Sequence, residues 1–138
     1  MAGRGTIQLR SGEDIILRVE NLVQEFPVGR NRVVHAVSDV SFDLRKGETL
    51  GIVGESGCGK STTARAIVQL PPPTSGRVVL DPSSENEIDL TRLSGHDLRN
   101  ARPRLQMIFQ DPISSLNPRR RVKDIVSEGL EIWSNGDI

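Results

Sequence analysis

The sequence lacks most of the features that mark secreted or nucleic-acid-binding proteins. A single cysteine among 138 residues cannot form an internal disulfide, which fits a reducing, cytosolic compartment. Three phenylalanines and one tryptophan are too few for the base-stacking platforms of single-strand binders. The 18 basic and 18 acidic residues give a net charge of zero, so the chain as a whole has no electrostatic attraction for nucleic acid or for a lipid surface. We therefore expect no nucleic-acid partner.

Long apolar runs are also missing. No stretch approaches the roughly 20 apolar residues that span a bilayer, and residues 1–10 lack the apolar core of a signal peptide. The first 12 residues are rich in Gly, Arg and Ser, which predicts a loose leader. The length fits one domain. Any membrane role is therefore expected to come through a partner.

What the sequence does contain is one strong phosphate-binding pattern. Residues 54–61 read Gly-Glu-Ser-Gly-Cys-Gly-Lys-Ser, which fills G-x-x-x-x-G-K-[ST] after the apolar run Thr49 to Val53. Glycines free the backbone so that N–H groups can surround a β-phosphate, and Lys60 adds charge for the β and γ oxygens. Ser61 is then a Mg²⁺ ligand. The order strand, glycine loop and helix predicts a nucleotide site.

Other elements follow from periodicity and from proline. The sequence predicts strands at Ile15–Val19, Val33–Leu44, Thr49–Val53, Arg77–Leu80 and Leu105–Phe109. It predicts helices over Ser61–Leu70, from a Ser94 cap to Arg102, and along the apolar stripe Val122, Ile125, Val126, Leu130 and Trp133. Pro71-Pro72-Pro73 ends the first helix. We expect the stripe to pack against a partner.

Several motifs together resemble the nucleotide-binding subunits of ABC transporters. Phe26 precedes the phosphate loop, and Leu105-Gln106-Met107-Ile108-Phe109-Gln110 follows it at the spacing of the family's glutamine segment. The run from Gln110 to Arg119, QDPISSLNPR, resembles the peptide/nickel importer branch, which includes the dipeptide and oligopeptide permeases. The resemblance extends from Ile15 to the last residue and covers the front half of the family's domain.

This resemblance implies an α/β fold, a P-loop NTPase core with an antiparallel β edge, truncated before the family's signature motif. It implies ATP and Mg²⁺ as cofactors, with Phe26 stacking on adenine. The phosphate-binding residues would be Gly54, Glu55, Ser56, Gly57, Cys58, Gly59, Lys60, Ser61 and Thr62. Ser61 and Gln110 would hold Mg²⁺, and Lys60 and Gln110 would be catalytic. Residues 13–138 would form the domain, with a helical subdomain beginning at about 111.

The resemblance also implies a function, namely an ATPase subunit that energises an importer of peptides or a related substrate. Its partners would be transmembrane permease subunits and a second ABC ATPase subunit, at the cytoplasmic face of the inner membrane. Leu93-Ser94-Gly95-His96 precedes Gln110 and lacks the rest of the family's L-S-G-G-Q signature, so it predicts a helix start. Neither His96 nor His35 is expected to be the family's switch histidine.

Two alternatives remain open at this stage. The signature, the acidic strand end, the water-polarising glutamate and the switch histidine have no counterpart in the sequence, so hydrolysis by this chain alone is doubtful. The chain would then be a non-hydrolysing fragment that binds nucleotide or the permease. Alternatively, it would be a truncated product that folds poorly because sheet edges and apolar faces stay open.

Overall fold

The computed structural model describes residues 9–12, 14–82, 84–111 and 116–133. The chain divides into two compact units between Met107 and Ile108. The predicted leader falls mainly on residues 1–8, outside the described part, and the predicted subdomain start near residue 111 stays a prediction. Within the described residues, no helix combines the length and apolar character needed to cross a membrane.

The first unit contains an antiparallel sheet of four strands. Strands β1 (Ile15–Pro27) and β2 (Val33–Arg45) form a long hairpin, and β3 (Ser75–Leu80) pairs with the other edge of β1. The two-residue strand β4 (Ile88–Asp89) pairs with β3, which gives the order β2-β1-β3-β4. The predicted antiparallel edge is confirmed, because every pairing in the sheet is antiparallel.

Alternation along the strands places one face of the sheet in the core. Residues separated by two positions project to the same face of a strand, so Leu17 and Val19 of β1 are both buried. A helix, α1 (Lys60–Ile67), contributes its apolar side to the same core. The buried apolar cluster consists of Leu17, Val19, Leu22, Val37, Phe42, Ala66, Ile67, Val78, Leu80, Leu90 and Ala101.

Two further helices follow, α2 (Gly95–Ala101) in the first unit and α3 (Val122–Trp133) in the second. The predicted start at Ser94 is confirmed, although the Ser94 side chain makes no capping bond. Short 3₁₀ turns occupy Leu90–Arg92 and Arg102–Arg104. Helix α1 ends three residues before the predicted Leu70, because Gln69 adopts a left-handed conformation with φ 59°.

Two strand predictions are wrong. The segments Thr49–Val53 and Leu105–Phe109 contain no strand residues, and Val53 and Ile108 are 95% and 90% exposed. A β-strand needs backbone hydrogen bonds to a neighbouring strand. The described strands β1 to β4 form these bonds with one another. The apolar composition of these two segments therefore favours an extended backbone, but no strand among the described residues pairs with either of them.

Arg10 fixes the residues before β1 to the far end of β2. Its backbone N–H and its Nε donate to Asp43 at 2.6 and 2.5 Å, and its Nη atoms donate to Glu48 at 3.0 and 2.7 Å. The bond from Arg10, together with the Arg45 N–H, lowers the pKa of Glu48 to about 2. Burial raises the pKa of Asp43, but the Arg10 bonds outweigh it and the pKa is lowered. These bonds hold Glu48, in the turn between β2 and residues 49–53, against Arg10.

Candidate functional site, a phosphate loop

The loop Gly54–Gly59 depends on its three glycines for two different reasons. Gly57 and Gly59 have φ values of 79° and 98°, which side-chain-bearing residues rarely adopt. Gly54 does not have a positive φ, but a Cβ there would lie 2.7 Å from the Sγ of Cys58. The predicted conformational freedom therefore applies to Gly57 and Gly59, whereas Gly54 provides space.

Strand β2 supports this loop through Ala36 and Val37, and we call this surface the floor of the loop. A Cβ on Gly59 would lie 2.2 Å from the carbonyl oxygen of Ala36 and 3.6 Å from Cγ2 of Val37. The loop backbone therefore rests directly on the strand. Sequence reasoning missed this contact, and no pattern in residues 33–45 singles out Ala36.

The loop leads straight into α1. The carbonyl of Gly59, the N-cap residue, accepts bonds from the N–H of Thr63 at 2.8 Å and from its hydroxyl at 3.0 Å. No side chain caps this end of the helix, so its first-turn N–H groups stay available to a ligand. A helix N-terminus with free N–H groups and a partial positive charge favours phosphate.

The ammonium of Lys60 is held across the mouth of the loop. Its Nζ donates to the carbonyls of Gly54 at 2.8 Å and Glu55 at 2.6 Å, and it lies 3.6 Å from the Sγ of Cys58. An ammonium has three N–H donors, and sulfur is a weak acceptor. The third donor thus faces only this weak acceptor, which a phosphate oxygen would outcompete. This positioned charge, above the glycine backbone and the start of α1, fits the β and γ phosphates of a nucleotide.

The remaining predicted loop residues differ in their exposure. Glu55, Ser56 and Ser61 are exposed, and Cys58 and Thr62 are half-buried. The described residues contain no group of three or more His, Cys, Asp or Glu side chains that could hold a metal ion. The role of Ser61 as a Mg²⁺ ligand stays a prediction.

Phe26 lies near the loop through the hairpin. It pairs with Val34, two residues from the Ala36 that supports Gly59, and it is 36% exposed. Two strand residues span about 7 Å and neighbouring strands lie about 5 Å apart, so the backbone of Phe26 is within a nucleotide's length of Ala36. The adenine-stacking role of Phe26 stays a prediction.

The remaining candidates are Gln110, the importer motif and the two histidines. Gln110 is an exposed residue of the second unit, and its role toward Mg²⁺ and water stays a prediction. Residues 112–115 of the importer motif lie outside the described residues. The ring of His35 pairs with Glu25 at 2.7 Å, and the side chain of His96 is 82% exposed.

Comparison with known proteins identifies the family that carries this loop. Residues 37–136 match the family model described as ABC transporter. The chain belongs to the ABC transporter family. The match includes β2 from Val37 onward, the phosphate loop and Gln110.

Curated members of the ABC transporter family are similar over most of the chain. It is 49% identical over 117 residues to the oligopeptide transport ATP-binding protein OppF of Bacillus subtilis. It is 47% identical over 124 residues to a probable peptide ABC transporter ATP-binding protein of Sinorhizobium fredii. These alignments cover 85% and 86% of the chain but 37% and 34% of the relatives. The chain thus spans about a third of the relatives' length.

Solved ABC cassettes share the fold. Two dimeric structures of the bacterial ABC transporter cassette MJ0796, one of them bound to ADP and Pi, are each 29% identical to this chain. They superpose with TM-scores of 0.55 and 0.56 over 63% of this chain and 35% of theirs. The ABC-type fold expected from the sequence is therefore shown, as is the resemblance to peptide importer ATPases.

Proposed function

We propose that this chain is the ATP-binding part of a subunit that energises an ABC importer of peptides or a related substrate. The observation that carries this proposal is the position of Lys60, whose Nζ is held by the carbonyls of Gly54 and Glu55 beside the uncapped start of α1. The curated relatives with peptide-transport names support the transport class.

The chain's residues would divide the work of holding the nucleotide. Phe26 would support the adenine ring, the backbone N–H groups around Gly57 and Gly59 would surround the β-phosphate, and Lys60 would neutralise the β and γ oxygens. Bound Mg²⁺ would supply further neutralisation of phosphate charge, and Ser61 is its expected ligand. Gln110 would orient the attacking water. Positioning and charge neutralisation are the main contributions that proteins make to phosphoryl transfer.

Turnover by this chain alone is proposed to be negligible. ABC ATPases in general hydrolyse ATP, but the sequence supplies only Gln110 as a water-orienting candidate, and incomplete catalytic sets lose most of their rate. A phosphate-release assay on the wild-type chain and Lys60→Ala would measure the same background rate in both. A steady rate that is lost in Lys60→Ala would contradict this part of the proposal.

The partners and the location are proposed from the same relationship. We expect permease subunits and a second ATPase subunit as partners, at the cytoplasmic face of the inner membrane. Within the second unit, helix α3 supports a docking role, because Val122, Val126 and Leu130 are 77%, 72% and 64% exposed. The Trp133 side chain of the predicted stripe lies outside the described part. A permease cytoplasmic loop is the proposed occupant of this face.

Titration of the full chain with Mg-ATP by calorimetry tests the nucleotide proposal. The wild type should bind, weakly and only with Mg²⁺, and Lys60→Ala should abolish binding. Lys46→Ala is the matched control, since Lys46 is an exposed lysine in the turn after β2 and its removal changes the net charge equally. Equal affinities of the wild type and Lys60→Ala would contradict the proposal.

A further inference from the structure

Gln24 is a buried amide with almost no hydrogen bonds. The residue is 4% exposed, and its Oε1 has no hydrogen-bond partner. Its Nε2 makes a single long bond, to the carbonyl of Glu25 at 3.4 Å. Buried polar atoms in proteins are nearly always paired, so an unpaired one points to a partner present in another state. None of the contacts described for the phosphate site involves the Gln24 side chain.

The position of Gln24 links it to the phosphate loop. Gln24 pairs across the hairpin with Val37, and directly opposed residues of neighbouring strands project to the same face. Val37 is the residue whose Cγ2 lies 3.6 Å from the Cβ position of Gly59. Gln24 therefore belongs to the floor under the loop and the start of α1. Phe26, the expected adenine platform, lies two residues further along the same strand.

The other side chains of this floor are either apolar or hydrogen-bonded. Val37 is buried, and the buried Thr63 hydroxyl donates to the carbonyl of Gly59. A residue of similar length without polar atoms would fill the position of Gln24 without leaving an orphaned acceptor. Helix α1 contacts both β1 and β2, so the backbone N–H groups of its first turn and of the loop before it are the candidate donors for Gln24.

We propose that Gln24 is a positioning residue for the phosphate loop, and that its Oε1 accepts a hydrogen bond, once nucleotide is bound, from an N–H of the loop or the start of α1 that the phosphates leave unused. The amide would then be unpaired in the free protein and paired in the complex. This proposal rests on the proposed function. It predicts that removal of the amide lowers the affinity for nucleotide without lowering the stability, which removal of a purely structural residue would not do.

The test combines thermal melting and Mg-ATP titration of the full chain with Gln24→Met. The melting temperature should stay equal or rise, because a buried unpaired acceptor is removed. The affinity for Mg-ATP should fall about fivefold, the loss expected for one hydrogen bond. The matched control is Gln69→Met, since Gln69 is also 4% exposed but donates to the carbonyl of Ala66 at 3.1 Å. Gln69→Met should lower the melting temperature and leave the affinity unchanged.

Three results would overturn the proposal. Unchanged affinity in Gln24→Met would show that the amide does not serve the loop. A fall in both affinity and melting temperature, or failure of both Gln24→Met and Gln24→Leu to fold, would show a role in the fold itself. Absence of Mg-ATP binding by the wild type would overturn the proposed function as well, whereas the other results leave that function intact.

Discussion

Gly59 lies so close to Ala36 that no larger residue fits. An added Cβ would approach the carbonyl oxygen of Ala36 to 2.2 Å, far inside van der Waals contact. Both partners are backbone, which cannot rotate away as a long side chain can. The contact joins the glycine-rich loop to the hairpin that carries Phe26.

The first prediction compares Gly59→Ala with Gly57→Ala. Both residues have positive φ, but a Cβ on Gly57 would have nothing within 4 Å. Gly57→Ala should cost only backbone strain, about 1–2 kcal/mol of unfolding free energy. Gly59→Ala should cost more than about 3 kcal/mol, because the clash with Ala36 adds to the strain. Urea denaturation measures both, and equal losses would show that the contact is not tight.

The second prediction concerns Phe26→Ala. The ring is 36% exposed at the end of β1, so its removal should change the free energy of unfolding little. The affinity for Mg-ATP should fall by at least fivefold, since stacking on a base contributes about 1–3 kcal/mol. Phe26→Trp should retain binding. Val34→Ala, at the exposed cross-strand partner, serves as the control for nonspecific damage to the hairpin.

The third prediction is a pH dependence set by Glu48. The pKa of its carboxyl is lowered from 4.5 to about 2 by Arg10 and the Arg45 N–H, so the folded state binds this proton less readily than the unfolded state. Its contribution to stability is therefore present above about pH 4.5 and is lost as the pH falls toward about 2.

Urea unfolding of Glu48→Gln at neutral pH and between pH 4.5 and 2 tests this dependence. The variant should be less stable than the wild type at neutral pH and should lose less stability on acidification. Glu85→Gln, at an exposed position, should keep the wild-type profile. Identical pH profiles for Glu48→Gln and the wild type would rule out the Arg10 anchor in solution.

The fourth prediction separates two arginines that share Asp89. Arg77 bonds Asp89 at 3.0 Å and Glu20 at 3.1 Å, whereas Arg92 reaches Asp89 at 3.2 Å from a side chain that is 77% exposed. Arg77→Gln should reduce the free energy of unfolding by about 1–2 kcal/mol, because Asp89 is largely buried. Arg92→Gln should cost about 0.5 kcal/mol or less. A larger loss in Arg92→Gln would invert this assignment.

The sequence predicted the phosphate loop and much of the antiparallel sheet because both have local signals. Gly57, Gly59 and Lys60 occur at fixed spacing, and the residues of β1 and β2 alternate. The segments Thr49–Val53 and Leu105–Phe109 were wrongly predicted as strands because pairing depends on a partner, which an apolar run does not reveal.

Other features had little or no local signal. Arg10 reaches Asp43 and Glu48 across more than 30 residues, so only the fold shows the anchor. Gln24 carried a weak signal, since it is a polar residue at alternate spacing from the apolar residues Leu22 and Phe26. The Ala36 contact with Gly59 is a backbone contact, which side-chain patterns cannot encode.

Alkylation of Cys58 is the most direct measurement of the central claim that this loop holds nucleotide phosphates. Cys58 is the only cysteine, is half-buried in the loop, and lies 3.6 Å from the Nζ of Lys60, so modification reports on this site alone. Maleimide labelling followed by mass spectrometry should be slowed strongly by saturating Mg-ATP in the wild type and not in Lys60→Ala. Equal labelling rates of the wild type with and without Mg-ATP would contradict the assignment of this loop as a nucleotide site.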